Sequence, residues 1–148
     1  MDSYVKTINE LIIDVFHDVL SIEEGALRKG HFSDVTVSEA HTVEAVGLFS
    51  RQTMGEVARK LGITVGTLTV AVNNLEKKGY VERIRGETDR RVVYLRLTKR
   101  GRVLFRLHQR FHEEMVKASI TGLFPEEKEV LTAALEHLHQ FLTQFDEG

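Results

Sequence analysis

Five arginines fall within the 18 residues from Val81 to Thr98, VERIRGETDRRVVYLRLT. Arginine is permanently charged, and its planar fork suits phosphate and the narrow minor groove of DNA. The chemistry this stretch offers is polyanion binding. Charge along the chain agrees. Residues 51–100 hold 12 Lys/Arg against 5 Asp/Glu, the remainder 8 against 17, and the whole carries −2. A basic middle between acidic ends points to a polyanion partner at the middle alone.

Other chemistry is weaker. His108 and His112 stand at i, i+4 with Glu113 and Glu114 beside them, a spacing that can hold zinc. No third ligand is evident from spacing, although His17, His41 and His137 exist elsewhere. The pair reads as surface or interface histidines, and no metal and no cofactor is expected. Ser21, Ser33, Ser38, Ser50 and Ser119 sit in no nucleophile elbow, and no glycine-rich phosphate loop is present, so no enzyme is expected. The chain has no cysteine, which excludes disulfides, thiolate metal sites and a cysteine nucleophile.

The elements that must position the arginines can be read from period and punctuation. Thr53-Met-Gly-Glu56 fits a capping box. A short helix then runs through Val57, Ala58 and Leu61 to Gly62, a left-handed C-cap. Thr64 caps a second helix, which stops at Gly79. Two short helices about a glycine turn make a helix-turn-helix. Leu68, Ala71, Val72 and Leu75 form its buried face. Thr67, Thr69, Val70, Asn73 and Asn74 lie off that face, small groups able to meet phosphates or base edges. Gly66 lets backbone approach closely, and Lys77 and Lys78 suit phosphates. After Gly79 the period shortens to two. YVERIR and VVYLRL read as a hairpin joined by GETDR. Arg85, Arg90 and Arg91 flank its tip, and Asp89 makes sense if it pairs with a neighbouring arginine and fixes its direction.

Around this middle lie longer helices. Residues 4–24 carry an apolar stripe at Ile8, Leu11, Ile12, Val15, Val19 and Ile22. Residues 24–36 read as a break, and Ser38 as the cap of the next helix. Thr98 caps a long helix with Val103, Leu104, Leu107, Phe111 and Met115 on one stripe. Gly122 breaks it, and Pro125 opens a last helix with Leu131, Leu135, Leu138, Leu142 and Phe145 as a heptad-like seam. The expected fold is mainly α with a small β-hairpin: a winged helix-turn-helix at 36–100, with helices at 1–35 and 101–148 forming a homodimerisation bundle. Apolar stripes this long exceed what one winged module covers. A two-fold dimer would match a palindromic operator in double-stranded DNA.

Asp89, Arg91, Leu97 and Thr98 stand as D-x-R-x₅-L-T, followed by Gly101 and preceded by LEKKGYVER at 75–83. Together these resemble the MarR family of bacterial regulators over nearly the whole chain. The resemblance implies an interlocked homodimer whose winged modules each take half of a palindrome. Candidate DNA contacts are Thr53, Thr64, Gly66, Thr67, Thr69, Val70, Asn73, Asn74, Lys77, Arg85, Asp89, Arg90 and Arg91. LRKGHFSDVTVSEAHTVEAVG, VGTLTVAVNNLEKKGYVERIRGETDRRVVYLRLTKRGR and LHQRFHEEMV are similar to one branch of that family. That likeness implies repression of fatty-acid synthesis genes, with long-chain acyl-acyl carrier protein as corepressor. Ala40 and Phe124-Pro125 depart from the branch's pattern.

In this family effectors often bind at the junction of dimerisation and DNA-binding parts. His41, Phe16, Leu20, Leu48, Leu104 and Phe105 are the candidates there, each also able to serve as packing. Arg28, Lys29 and His31 could meet an acidic carrier protein. An alternative is release from DNA by a small lipophilic or phenolic effector, and a third is a helical protein–protein module. No signal-like or spanning apolar run is seen, so the cytoplasm is expected.

Overall fold

In the computed structural model, residues 2–145 are described. Helix α1 (Ser3–Lys29) starts where the Asp2 carboxylate accepts the Tyr4 amide at 2.9 Å. It runs straight through Gly25, where the sequence reading placed a break. Ala26, Leu27, Arg28 and Lys29 are good helix formers and Leu27 is buried. Those gains outweigh the roughly 1 kcal/mol that glycine costs inside a helix. A Cβ at Gly25 would meet nothing within 4 Å. Gly25→Ala is therefore expected to raise stability by about 0.5–1 kcal/mol, measured by chemical denaturation. Arg28, at the end of α1, pairs with Glu24 at 3.2 Å.

Helix α2 (Val37–Val46) is capped by Thr36, not Ser38. The Thr36 hydroxyl accepts the Glu39 amide and the Glu39 carboxylate accepts the Thr36 amide, both at 3.1 Å. Only Thr36 has a Glu three residues on, so the reciprocal box selects it. Strand β1 (Gln52–Thr53) follows, a strand not expected from the sequence. Helices α3 (Met54–Leu61) and α4 (Val65–Lys78) come next, then strands β2 (Val81–Arg85) and β3 (Val93–Leu97). The sheet order is β1-β3-β2, antiparallel throughout, with Gln52 opposite Leu95 and Arg83 opposite Leu95 from the other side. At two residues β1 carries little periodic signal of its own.

Gln52 explains why that short strand exists. Its amide nitrogen donates to the Ala45 and Val46 carbonyls at 2.8 and 2.7 Å, satisfying the last turn of α2. The core joins Val43 and Val46 of α2, Val57 of α3, Leu68, Val72 and Leu75 of α4, and Leu95 and Leu97 of β3. It also draws on residues outside 36–100: Leu27, Phe32, Val35 and Leu104.

Helices α5 (Lys99–Ile120) and α6 (Pro125–Thr143) complete the chain. Two compact units meet in sequence between Phe105 and Arg106. In the second, Gly122 takes φ +88° and ends α5, and Glu127 accepts the Phe124 amide at 2.9 Å to open α6. His108 and His112 bring their Nε2 atoms to 3.2 Å, and His108 is buried rather than on the surface. Leu135, Leu138, Leu142 and Phe145 of the expected seam are exposed in the single chain, as are Ile8, Leu11, Ile12 and Phe16 of α1. Among the described residues no helix is long and apolar enough to cross a membrane.

Candidate nucleic-acid interface

The two helices of the motif are set by their caps. Thr53 and Glu56 form the expected reciprocal box. Gly62 adopts φ +66°, its amide and that of Ile63 both reach the Ala58 carbonyl, and Ile63 packs on the core. A left-handed residue was required there, and only glycine takes it without strain. Thr64 accepts the Thr67 amide at 3.1 Å and donates to the Thr67 hydroxyl at 2.9 Å.

Helix α4 then buries Leu68, Val72 and Leu75 and turns Gly66, Val70, Asn73 and Lys77 outward at spacings of 4, 3 and 4. Thr67 and Asn74 are exposed on the flank of that stripe. Val70 is 62 % exposed, a β-branched apolar group facing solvent where a thymine methyl is a natural partner. Thr69 is half-buried and its hydroxyl donates to the Val65 carbonyl at 2.8 Å.

Lys78, read from the sequence as a phosphate contact, is used internally instead. Its ammonium has three acceptors, the Asp34 carbonyl at 2.6 Å and both oxygens of Glu39 at 2.8 and 3.0 Å. Next to it Tyr80 is wholly buried, and its hydroxyl donates to Asp34 at 2.6 Å. Burial first, and then the neighbouring Asp34, push that hydroxyl well above its ordinary pKa. Arg100 lies 4.4 Å over the Tyr80 ring, donates to the Lys78 carbonyl at 2.7 Å, and reaches Asp34 at 3.4 Å. This network ties the end of α4 to the loop before α2 and to the start of α5. It was not seen in the sequence. The available signal was Tyr80 itself, since a buried tyrosine beside a helix end requires a partner for its hydroxyl.

The Tyr80 hydrogen bond first, then Arg100 and Lys78, hold the Asp34 carboxyl below its ordinary value of 3.8. A carboxyl depressed on folding stabilises above its unfolded pKa, and the stabilisation fades as pH falls through the folded one. Asp34→Asn keeps an acceptor for Tyr80 but cannot titrate. Its denaturation curves are expected to lose less stability than wild type as pH is lowered below 3.8.

The wing is β2, β3 and the loop between them. Gly86 donates to the Val92 carbonyl at 2.9 Å, and Val92 to the Asp89 carbonyl at 3.2 Å. A Cβ at Gly86 would lie 2.6 Å from the Asp89 carbonyl oxygen, so the tight tip demands glycine. Asp89 accepts the Arg91 amide at 3.0 Å and its Nε at 3.2 Å. These bonds hold the Asp89 carboxyl below its usual range and orient an arginine whose side chain is 92 % exposed. Arg85 and Arg90 are exposed at the same tip. Thus Arg85, Asp89, Arg90 and Arg91 come together at one end of the sheet. Arg83 on β2 and Arg96 on β3 are both paired: Arg96 with Glu82, Arg83 with Glu76 and Asn73 of α4.

The effector candidates stand in different surroundings. His41 Nε2 lies 3.4 Å from Glu23, whose side chain is almost wholly buried. Leu104 is core and Phe105 packs against it. Phe16 is 64 % exposed on α1 and Leu20 is half-buried. Leu48 lines a groove of about 700 Å³ with Phe49, Arg51, Ile84, Arg96 and Arg102, and none of the other five candidates lines it.

A capped helix-turn-helix followed by a basic hairpin defines a winged-helix module. The chain belongs to the MarR family, whose model matches residues 33–92. It is 45 % identical to FabT of Streptococcus pneumoniae, solved in complex with DNA. That match covers 95 % of this chain and 99 % of that one with a TM-score of 0.86. YfiV of Bacillus subtilis, an uncharacterized HTH-type transcriptional regulator, is 34 % identical over 90 residues, 60 % of this chain and 56 % of that protein. The chain thus spans little more than half of YfiV, and 63 % of YwhA from the same organism. The MepR–DNA complex of Staphylococcus aureus shares the fold at 23 % identity. It covers 89 % of this chain and 96 % of that one with a TM-score of 0.71.

Proposed function

We propose that this MarR-type regulator binds palindromic duplex DNA as a homodimer. It represses fatty-acid synthesis genes, with an acyl-acyl carrier protein as corepressor. The observation that carries the reading is the 45 % identity to FabT across 99 % of that chain, joined to the resemblance of residues 27–47 and 65–102 to the fatty-acid branch. DNA binding is supported by the exposed stripe of α4 and the arginines of the wing. Dimerisation is supported by the apolar residues exposed along α1 and α6, more than soluble monomers keep.

A corepressor acts only through differential affinity for two conformations. An acyl-acyl carrier protein that prefers the DNA-competent spacing of the two wings tightens DNA binding by that difference. The test is a gel-shift titration on promoter fragments of fatty-acid synthesis genes, with and without acylated carrier protein. Tightening by about tenfold, or 1.4 kcal/mol, is the expected result. Unchanged affinity contradicts the corepressor role, and release from DNA points to the opposite sign of control.

A further inference from the structure

Arg83 sits on β2, opposite Leu95 of the central strand, so its backbone is fixed by the sheet. Its side chain leaves the wing and reaches across to α4. Nη2 donates to Asn73 Oδ1 at 2.7 Å, and Nη1 donates to Glu76 Oε1 at 2.8 Å. The arginine therefore bridges two residues one turn apart on the recognition helix. Asn73 is exposed and belongs to the outward stripe with Val70 and Lys77.

The chemistry fixes which end of the carboxamide points where. A guanidinium has donors and no acceptor. The Asn73 oxygen must face Arg83, and its amino group must face away. Asparagine reads adenine by turning both ends to the base, donating to N7 and accepting from the N6 amino group. Arg83 occupies only one of the two lone pairs of the Asn73 oxygen, so that two-way reading stays open, but the amino group is turned to a fixed side before DNA arrives. Glu76 strengthens the arrangement, since its carboxylate holds the other arm of the fork in a charge-assisted bond.

We infer that Arg83 is a positioning residue that fixes the Asn73 carboxamide, with its amino group turned toward an acceptor oxygen or nitrogen on DNA. The acceptor belongs to a base, such as guanine O6 or thymine O4, or to a phosphate. This rests on the reading of α4 as the DNA-facing helix.

The experiment uses the full-length homodimer. Duplexes are enriched from a randomised library by the wild type, and single-base substitutions of the enriched duplex are then competed against it. The proteins are wild type, Asn73→Ala, Arg83→Met, Arg83→Lys and the double variant Asn73→Ala with Arg83→Met. Thermal unfolding midpoints confirm that each is folded. If the acceptor is a base, Asn73→Ala flattens preference at one base pair per half-site. Arg83→Met then weakens that same preference by about fivefold or more, because the released carboxamide can turn. If the acceptor is a phosphate, both substitutions weaken all duplexes alike. In either case Arg83→Met adds no further loss once Asn73 is alanine, and Arg83→Lys stays close to wild type. The assignment is overturned if Arg83→Met weakens the Asn73→Ala protein as much as it weakens wild type. It is also overturned if Arg83→Met leaves the Asn73-dependent preference of the wild type unchanged. A wild type that enriches no sequence and binds no duplex overturns the DNA reading itself, and this assignment with it.

Discussion

Gly101→Ala is expected to destabilise the winged unit by about 2 kcal/mol. A Cβ at this position would lie 2.1 Å from the Tyr80 carbonyl oxygen, 3.1 Å from its carbonyl carbon and 3.3 Å from Leu97 Cβ. Two of these are backbone atoms, so no side chain can swing aside. Tyr80 is wholly buried, and its carbonyl accepts the Thr98 amide at 3.0 Å. Thr98 is pinned in turn, its hydroxyl donating to the Gly79 carbonyl at 2.6 Å and accepting the Gly101 amide at 3.1 Å. Forcing atoms into such packing costs about 3 kcal/mol, and the better helix propensity of alanine returns about 1 kcal/mol. The clash wins. At 2–4 °C per kcal/mol for a chain near this size, the unfolding midpoint should fall by roughly 5 °C. Gly25→Ala is the control, with the same residue change in a helix and open space around it. A destabilisation equal at both sites would show that the approach of α5 to Tyr80 is not as tight as described.

Arg90→Ala is expected to weaken DNA binding by about a hundredfold while leaving the fold intact. Arg90 is exposed at the wing tip, so its removal uncovers no core. One charge-assisted contact contributes about 1.5 kcal/mol. The proposed dimer makes it twice, and about 3 kcal/mol corresponds to roughly a hundredfold in affinity. Arg91 differs from Arg90 in being aimed by Asp89. Asp89→Ala should thus weaken binding although it removes a negative charge beside DNA. The measurement is fluorescence anisotropy with an enriched duplex, together with the unfolding midpoint. Undiminished affinity for Arg90→Ala would mean that the wing does not meet DNA.

Much of this geometry was legible before any coordinates. Thr53, Gly62, Thr64, Gly79, Thr98 and Pro125 each mark an element boundary that the structure places there, because caps and left-handed turns are set by local chemistry. Asp89 was readable for the same reason: its partner is two residues away. Failures came where distant residues decide. α1 outlasts Gly25 because Leu27 is buried by other elements. β1 exists because β3 offers it an edge and Gln52 a place to bond. Lys78 read as a phosphate contact and Arg83 as one more arginine of the hairpin, yet their partners Asp34, Glu39 and Asn73 lie 44, 39 and 10 residues away. No local pattern could announce those pairings.

If α4 and the wing meet duplex DNA through its phosphates and grooves, binding must weaken steeply as salt rises. A salt titration of binding to a mixed-sequence duplex tests it most directly, with wild type and Arg90→Ala side by side. Each phosphate neutralised contributes about −0.9 to the slope of log affinity against log salt. The expected result is a steep linear fall for wild type, and a slope shallower by about 2 for the Arg90→Ala dimer, one contact per subunit. A flat dependence, no binding at low salt, or the same slope for both proteins would contradict it.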